Sequence, residues 1–153
     1  MKVVMLDFDG VLIKFQGIRK KRRPAVVDPA CVAALNSVTD RTGAKLVITS
    51  SWRIKTPLEK LVVCLRGWGV TGEVAGATPS FAENSPNRRG KEILHWLTYD
   101  DANSDMQVQS FVILDDEANM GRLRARLVQS DPMIGLTMAE ADQAVQILEV
   151  PVC

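Results

Sequence analysis

Histidine occurs once in these 153 residues, at His95, tyrosine occurs once, and aromatic side chains make up only 5% of the chain. On a helix face a single histidine reads as packing or surface rather than catalysis. So few rings also argue against a platform that stacks single-stranded bases. Cysteine is nearly as scarce: Cys31, Cys64 and Cys153 are odd in number, widely spaced and without paired metal-ligand spacing, which fits reduced thiols in a cytoplasmic protein. No apolar run approaches the roughly 20 residues that span a bilayer. Too few apolar residues precede Asp7 for a secretory signal. The net charge is +1, so no global field demands nucleic acid or an anionic membrane as partner. Internal repeats are absent as well.

What is present fits one globular domain over residues 1–153, long enough to bury a core. The most informative stretch is Asp7-Phe8-Asp9-Gly10-Val11-Leu12, directly behind the apolar run Val3-Val4-Met5-Leu6. It reads as a buried strand ending in an acidic site. Strand alternation would put Asp7 and Asp9 on one side, about 7 Å apart. Gly10 lets the backbone turn sharply away from the strand end. Carboxylates that close repel unless a cation or a shared proton sits between them, so a divalent metal site is the economical reading.

Further strands and helices alternate downstream. Asp28-Pro29 opens a helix that Gly43 closes, and Lys45–Thr49 is a second buried strand. Thr56-Pro57-Leu58-Glu59 reads as a capping box for a helix through Trp68. Val70–Ala77 holds a strand and Arg89–Leu97 a helix. Phe111–Leu114 is a strand running into Asp115-Asp116, Met133–Leu136 adds a last strand, and Thr137-Met138-Ala139-Glu140 caps a final helix to Leu148. This pattern predicts an α/β fold: a central, mostly parallel sheet with helices on both faces and a site at the carboxyl ends of its strands. Asp7 and Asp9, Thr49 and Ser50, and Asp115 and Asp116 all fall there.

An Asp-x-Asp-Gly after the first strand, a Thr or Ser after the second, a Lys on a later helix and an acidic pair after another strand occur in that order. The chain in this respect resembles the haloacid dehalogenase (HAD) superfamily of aspartate-nucleophile phosphohydrolases. The wording Val47-Ile48-Thr49-Ser50-Ser51-Trp52-Arg53, Arg89-Gly90-Lys91-Glu92-Ile93 and Ile113-Leu114-Asp115-Asp116 is similar to a small HAD branch associated with nucleic-acid repair proteins. The resemblance implies a three-layer Rossmann-like fold and phosphomonoester hydrolysis through an aspartyl-phosphate. It implies Asp7 as nucleophile, Asp9 as general acid and base, and Thr49 or Ser50 as phosphoryl donor, with Lys91 neutralising charge. Mg²⁺ would be held by Asp7, Asp9 (through its carbonyl), Asp115 and Asp116. Arg53, Ser50 and Gly10 join the substrate-binding set, Arg53 because its fork matches phosphate oxygens. Trp52 beside it offers a stacking face or a packed ring.

The first loop, Ile13 to Val27, is too short for a folded cap, so the site is expected to be open and suited to a phosphate on a large molecule. Within that loop Arg19, Lys20, Lys21, Arg22 and Arg23 are five consecutive positive charges. They suit a nucleic-acid backbone, a solvated loop or an acidic protein surface. A nucleotide or nucleic-acid end is the expected substrate. Other metabolites or phosphoproteins are the alternatives, as is a catalytically silent phosphate- or nucleic-acid-binding module. A receiver domain of the response-regulator type fits poorly, because its acidic pair precedes the phosphorylated Asp and the second strand here ends in Thr49-Ser50-Ser51.

Overall fold

A computed structural model describes residues 1–15, 26–82, 85–100 and 107–152. Five strands form one parallel sheet: β1 (Lys2–Leu6), β2 (Lys45–Ile48), β3 (Val74–Ala77), β4 (Ser110–Asp115) and β5 (Leu127–Gln129). Their spatial order is β3-β2-β1-β4-β5. The chain runs outward from β1 in one direction and then returns to build the other half, so the order reverses between β1 and β4. In open α/β sheets that reversal leaves a crevice at the strands' carboxyl ends.

Alternation within each strand sorts side chains into two cores, as expected of a sheet covered on both faces. Val4 and Leu6 of β1 face one cluster with Leu46, Ile48, Val112 and Leu114, packed on α1 (Pro29–Thr42), α2 (Leu58–Gly67) and α4 (Met138–Leu148). Val3 and Met5 face the other with Val47, Phe111 and Ile113, packed on α3 (Arg88–His95) and Met120. The layering is therefore helix, sheet, helix, and no cap domain is present among the described residues.

Local signals explain most element ends. Asp28 accepts from the Ala30 N–H and Gly43 closes α1 in the left-handed region at φ 69°. Thr137 and Glu140 form a reciprocal capping box at α4. Three expectations need correction. No capping box forms at Thr56: its N–H is spent on the Trp52 carbonyl, closing a 3-10 turn over Ser51–Ile54, and Pro57 becomes the N-cap of α2. Met133–Leu136 is no strand; the N–H groups of Ile134 and Gly135 both fold back onto the Asp131 carbonyl. The last strand is instead the three-residue β5, too short to leave a period in the sequence. The third strand begins at Val74 rather than Val70.

Candidate active site

Register carries two acids to the reversal point. Leu6 pairs with Ile48 on one side and Leu114 on the other, so the next residues along the chain, Asp7 after β1, Thr49 after β2 and Asp115 at the end of β4, emerge side by side. The Asp7 N–H continues the ladder to the Leu114 carbonyl (3.1 Å), and the Thr49 N–H to the Leu6 carbonyl (2.9 Å). All three are buried. Asp116 comes next to them where the chain turns, and carboxylate oxygens of Asp7, Asp115 and Asp116 lie within 4.8 Å of one another. Gly10 is needed at this approach: at φ +83°, a Cβ there would stand 2.4 Å from an Asp116 oxygen. Ser130 Oγ fixes the same turn by donating to the Gly10 carbonyl at 2.6 Å.

Asp9 does not join that group. The chain leaves the sheet after Leu6, so strand alternation no longer applies; Phe8 is fully buried and Asp9 is exposed. Its Oδ2 accepts from the Trp52 indole N–H at 2.9 Å. The carboxylate thus stands at the rim, beside a cavity of about 140 Å³ walled by Ile13, Phe15 and Pro132 and bounded by Asp116.

The cation against Asp7 is Arg89, which the sequence reading missed. Its Nη1 lies 2.9 Å from Asp115 Oδ2, 3.4 Å from Asp7 Oδ1 and 3.4 Å from Thr49 Oγ1. Lys91, expected in this position, is exposed on α3 and donates to Ser85 Oγ at 3.1 Å, outside the acid cluster. Helix periodicity gives the reason: Arg89, Glu92, Ile93 and Trp96 recur at the spacing of one face and are all buried, while two residues of rotation turn Lys91 away. Gly90 permits the close seating of that face, since a Cβ would sit 2.5 Å from the Met120 carbonyl.

Arg53 is likewise committed to the interior. Its Nε and Nη groups donate to the carbonyls of Thr49, Ser50, Thr78 and Pro79, and Nη2 pairs with Glu92 Oε2 at 2.8 Å. With its fork fully spent it clasps the loops after β2 and β3 rather than presenting donors to a phosphate. Ser50 Oγ caps the 3-10 turn by accepting from the Trp52 N–H, whereas Thr49 Oγ1 faces Arg89. His95 packs between Phe81 and Tyr99, in keeping with a structural histidine. The basic run Arg19–Arg23 lies outside the described residues.

Electrostatics mark the cluster as short of positive charge. Burial pushes Asp7 up to about 6, against the pull of Arg89. Burial and then the neighbouring Asp7 push Asp115 up to about 8. Burial also disfavours the Arg89 charge, yet Asp115 and Asp7 outweigh it and hold the guanidinium above its ordinary range. Hard oxygen ligands in an incomplete shell, with ionisation penalised until more positive charge arrives, fit Mg²⁺.

A pH dependence follows. Both carboxyls hold their protons more tightly folded than unfolded, so between about pH 4 and 8 the folded state binds more protons. Their contribution to stability is complete below the unfolded value of 3.8 and is lost as pH rises through about 6 and about 8. In chelator, stability is expected to fall from pH 5 to pH 8 by on the order of a few kcal/mol, and the melting temperature with it. Added Mg²⁺ should flatten that fall, because it favours the ionised carboxylates. Calorimetry showing stability rising with pH and indifferent to Mg²⁺ would contradict the burial argument.

The family model described as the HAD domain in Swiss Army Knife RNA repair proteins matches residues 3–141. No curated protein matches the chain.

Proposed function

The chain belongs to the family of HAD domains found in Swiss Army Knife RNA repair proteins, and from that membership we propose that it is a Mg²⁺-dependent phosphomonoester hydrolase acting on nucleotide or nucleic-acid phosphate ends. The observation that supports this most is the buried Asp7 carboxylate, with Asp115 and Asp116 on one side and Arg89 against it.

An Asp7 oxygen attacks phosphorus and the bond to the leaving oxygen breaks, giving an aspartyl-phosphate. Protonated Asp9 gives its proton to that leaving oxygen. Asp9, now a carboxylate, takes a proton from the water that attacks phosphorus next, and the bond to Asp7 breaks to release inorganic phosphate. Arg89 and the Thr49 hydroxyl stabilise charge on the transferring oxygens. Mg²⁺ held by Asp7, Asp115 and Asp116 would lower the repulsion between the anionic nucleophile and the anionic phosphate.

The preference for a large substrate is supported by the lack of a cap domain among the described residues and by the five consecutive positive charges Arg19 to Arg23 in the sequence. The test is phosphate release from nucleotides, oligonucleotides phosphorylated at either end and small phosphate esters, with Mg²⁺ and with chelator. Oligonucleotide ends should be the best substrates, with affinity falling as salt rises and falling again when Arg19 to Arg23 are neutralised. A preference for a small metabolite would discard the substrate part. Binding of oligonucleotides without turnover of any ester would discard the hydrolase.

A further inference from the structure

We propose that Trp52 is the residue that positions Asp9 for proton transfer, an inference that rests on the hydrolase reading above. A general acid must sit within about 2.6–3.2 Å of the oxygen it protonates. Asp9 is exposed, and a carboxylate standing in water samples many orientations. Here the Trp52 indole N–H holds Oδ2 at 2.9 Å.

Trp52 can impose an orientation because it is itself fixed. Its ring meets Phe8 at 5.6 Å and 77° and Trp68 at 5.6 Å and 83°, and Phe8 meets Trp68 at 5.3 Å and 82°, all edge-to-face. Edge-to-face pairs of this kind are favoured by the ring quadrupoles beyond the area they bury. Its N–H donates to Ser50 Oγ and its carbonyl accepts from Thr56, so both ends of the 3-10 turn are tied. Arg53, the next residue, anchors that turn to β2 and β3. Phe8 is the spacer between Asp7 and Asp9. One cluster of rings therefore fixes the backbone of the acid pair and the donor that aims its second member.

The indole also decides which oxygen does the work. Trp is a donor only and never gives up its proton in this range. Oδ2 must therefore be the acceptor whether Asp9 is charged or neutral, and the transferable proton belongs on Oδ1. A serine or histidine in the same place could reverse its hydrogen bond; an indole cannot. Packed against Phe8 and Trp68 and bonded to Asp9, the Trp52 indole is committed to aiming that carboxylate.

The experiment compares wild type with Trp52→Phe, which keeps a ring but removes the N–H, and with Trp68→Phe, which alters the cluster without touching Asp9. Leaving-group release is followed in a single turnover with Mg²⁺, so that only the first chemical step is read. An alkyl phosphate needs a proton on its leaving oxygen, and 4-nitrophenyl phosphate does not. Trp52→Phe is expected to slow the alkyl ester about 10- to 100-fold and the nitrophenyl ester less than about 3-fold, part of the 10²–10⁴ a general acid supplies. Trp68→Phe should leave the ratio of the two rates unchanged. Because a misfolded fraction lowers both amplitudes alike, the ratio reads aim and not foldedness. Equal slowing of both esters, or slowing of neither, would overturn the positioning role while the hydrolase stands. Failure of the wild type on every ester would overturn both.

Discussion

Replacing Asp7 by asparagine is expected to abolish turnover, by on the order of 10⁴- to 10⁶-fold, without unfolding the protein. The amide has nearly the shape of the carboxyl, so packing around the end of β1 survives. Its oxygen is a poor nucleophile and its nitrogen cannot replace it, so the aspartyl-phosphate never forms. Folding should not suffer, because burial already favours the neutral form of Asp7, pushing it up to about 6. Arg89 keeps its shorter contact, 2.9 Å to Asp115. The expected pair of results is a flat phosphate-release trace and a melting temperature at or above that of the wild type at pH 8 in chelator. A variant retaining more than about a hundredth of the activity would remove Asp7 from the nucleophile's role.

Arg89→Ala is expected to be the most damaging single change for activity and stability together. Removing one member of a buried ion pair typically costs about 3–5 kcal/mol, because the partner charge is left uncompensated. Here two acids are left, Asp7 and Asp115, with a Thr49 hydroxyl that loses its neighbour. Loss of the guanidinium should also lower kcat on the order of 10²–10³-fold, the scale of one charge-stabilising donor. Arg89→Lys should recover part of the stability and less of the rate, since a lysine keeps the charge but not the planar, pre-organised reach that sets Nη1 among Asp7, Asp115 and Thr49. Lys91→Ala provides the contrast: as an exposed side chain bonded to Ser85, it should change stability by no more than about 0.5 kcal/mol. Melting curves and phosphate release on the three proteins decide the matter. If Lys91→Ala silences the enzyme and Arg89→Ala does not, the seating of α3 described above is wrong.

How legible the site was in the sequence depends on how each residue reaches it. Asp7, Thr49 and Asp115 follow short apolar runs, and a parallel sheet delivers such residues to one edge whatever the details of packing. Arg89 was hidden because two cations flank Gly90 and only the burial of Ile93 and Trp96 shows which one the helix turns inward. A helix face drawn through Ile93 and Trp96 selects Arg89 and Glu92 and leaves Lys91 outside. Arg53 looked free because four of its five partners are backbone carbonyls on two loops, which no side-chain pattern records, and the fifth is Glu92 on a distant helix. The Trp52 contact joins residues far apart in sequence and depends on the chain leaving the sheet at Asp7, after which alternation no longer predicts direction. Helix ends fared better where a cap is local, as at Asp28, Gly43 and Thr137.

The strand order has a consequence for how the molecule is made. β1 is the first element of the chain and the middle of the sheet, yet one of its neighbours, β4, lies in the last third of the sequence. During synthesis β2 covers one edge of β1 early, while the other waits through two further helices and a strand. Over that interval an apolar strand shows unpaired backbone to its surroundings, the condition under which chains associate wrongly. Closing so distant a pair also slows folding. A nascent chain thus carries Asp7 long before it carries Asp115, and the carboxylate acquires its chemistry only when the sheet is finished.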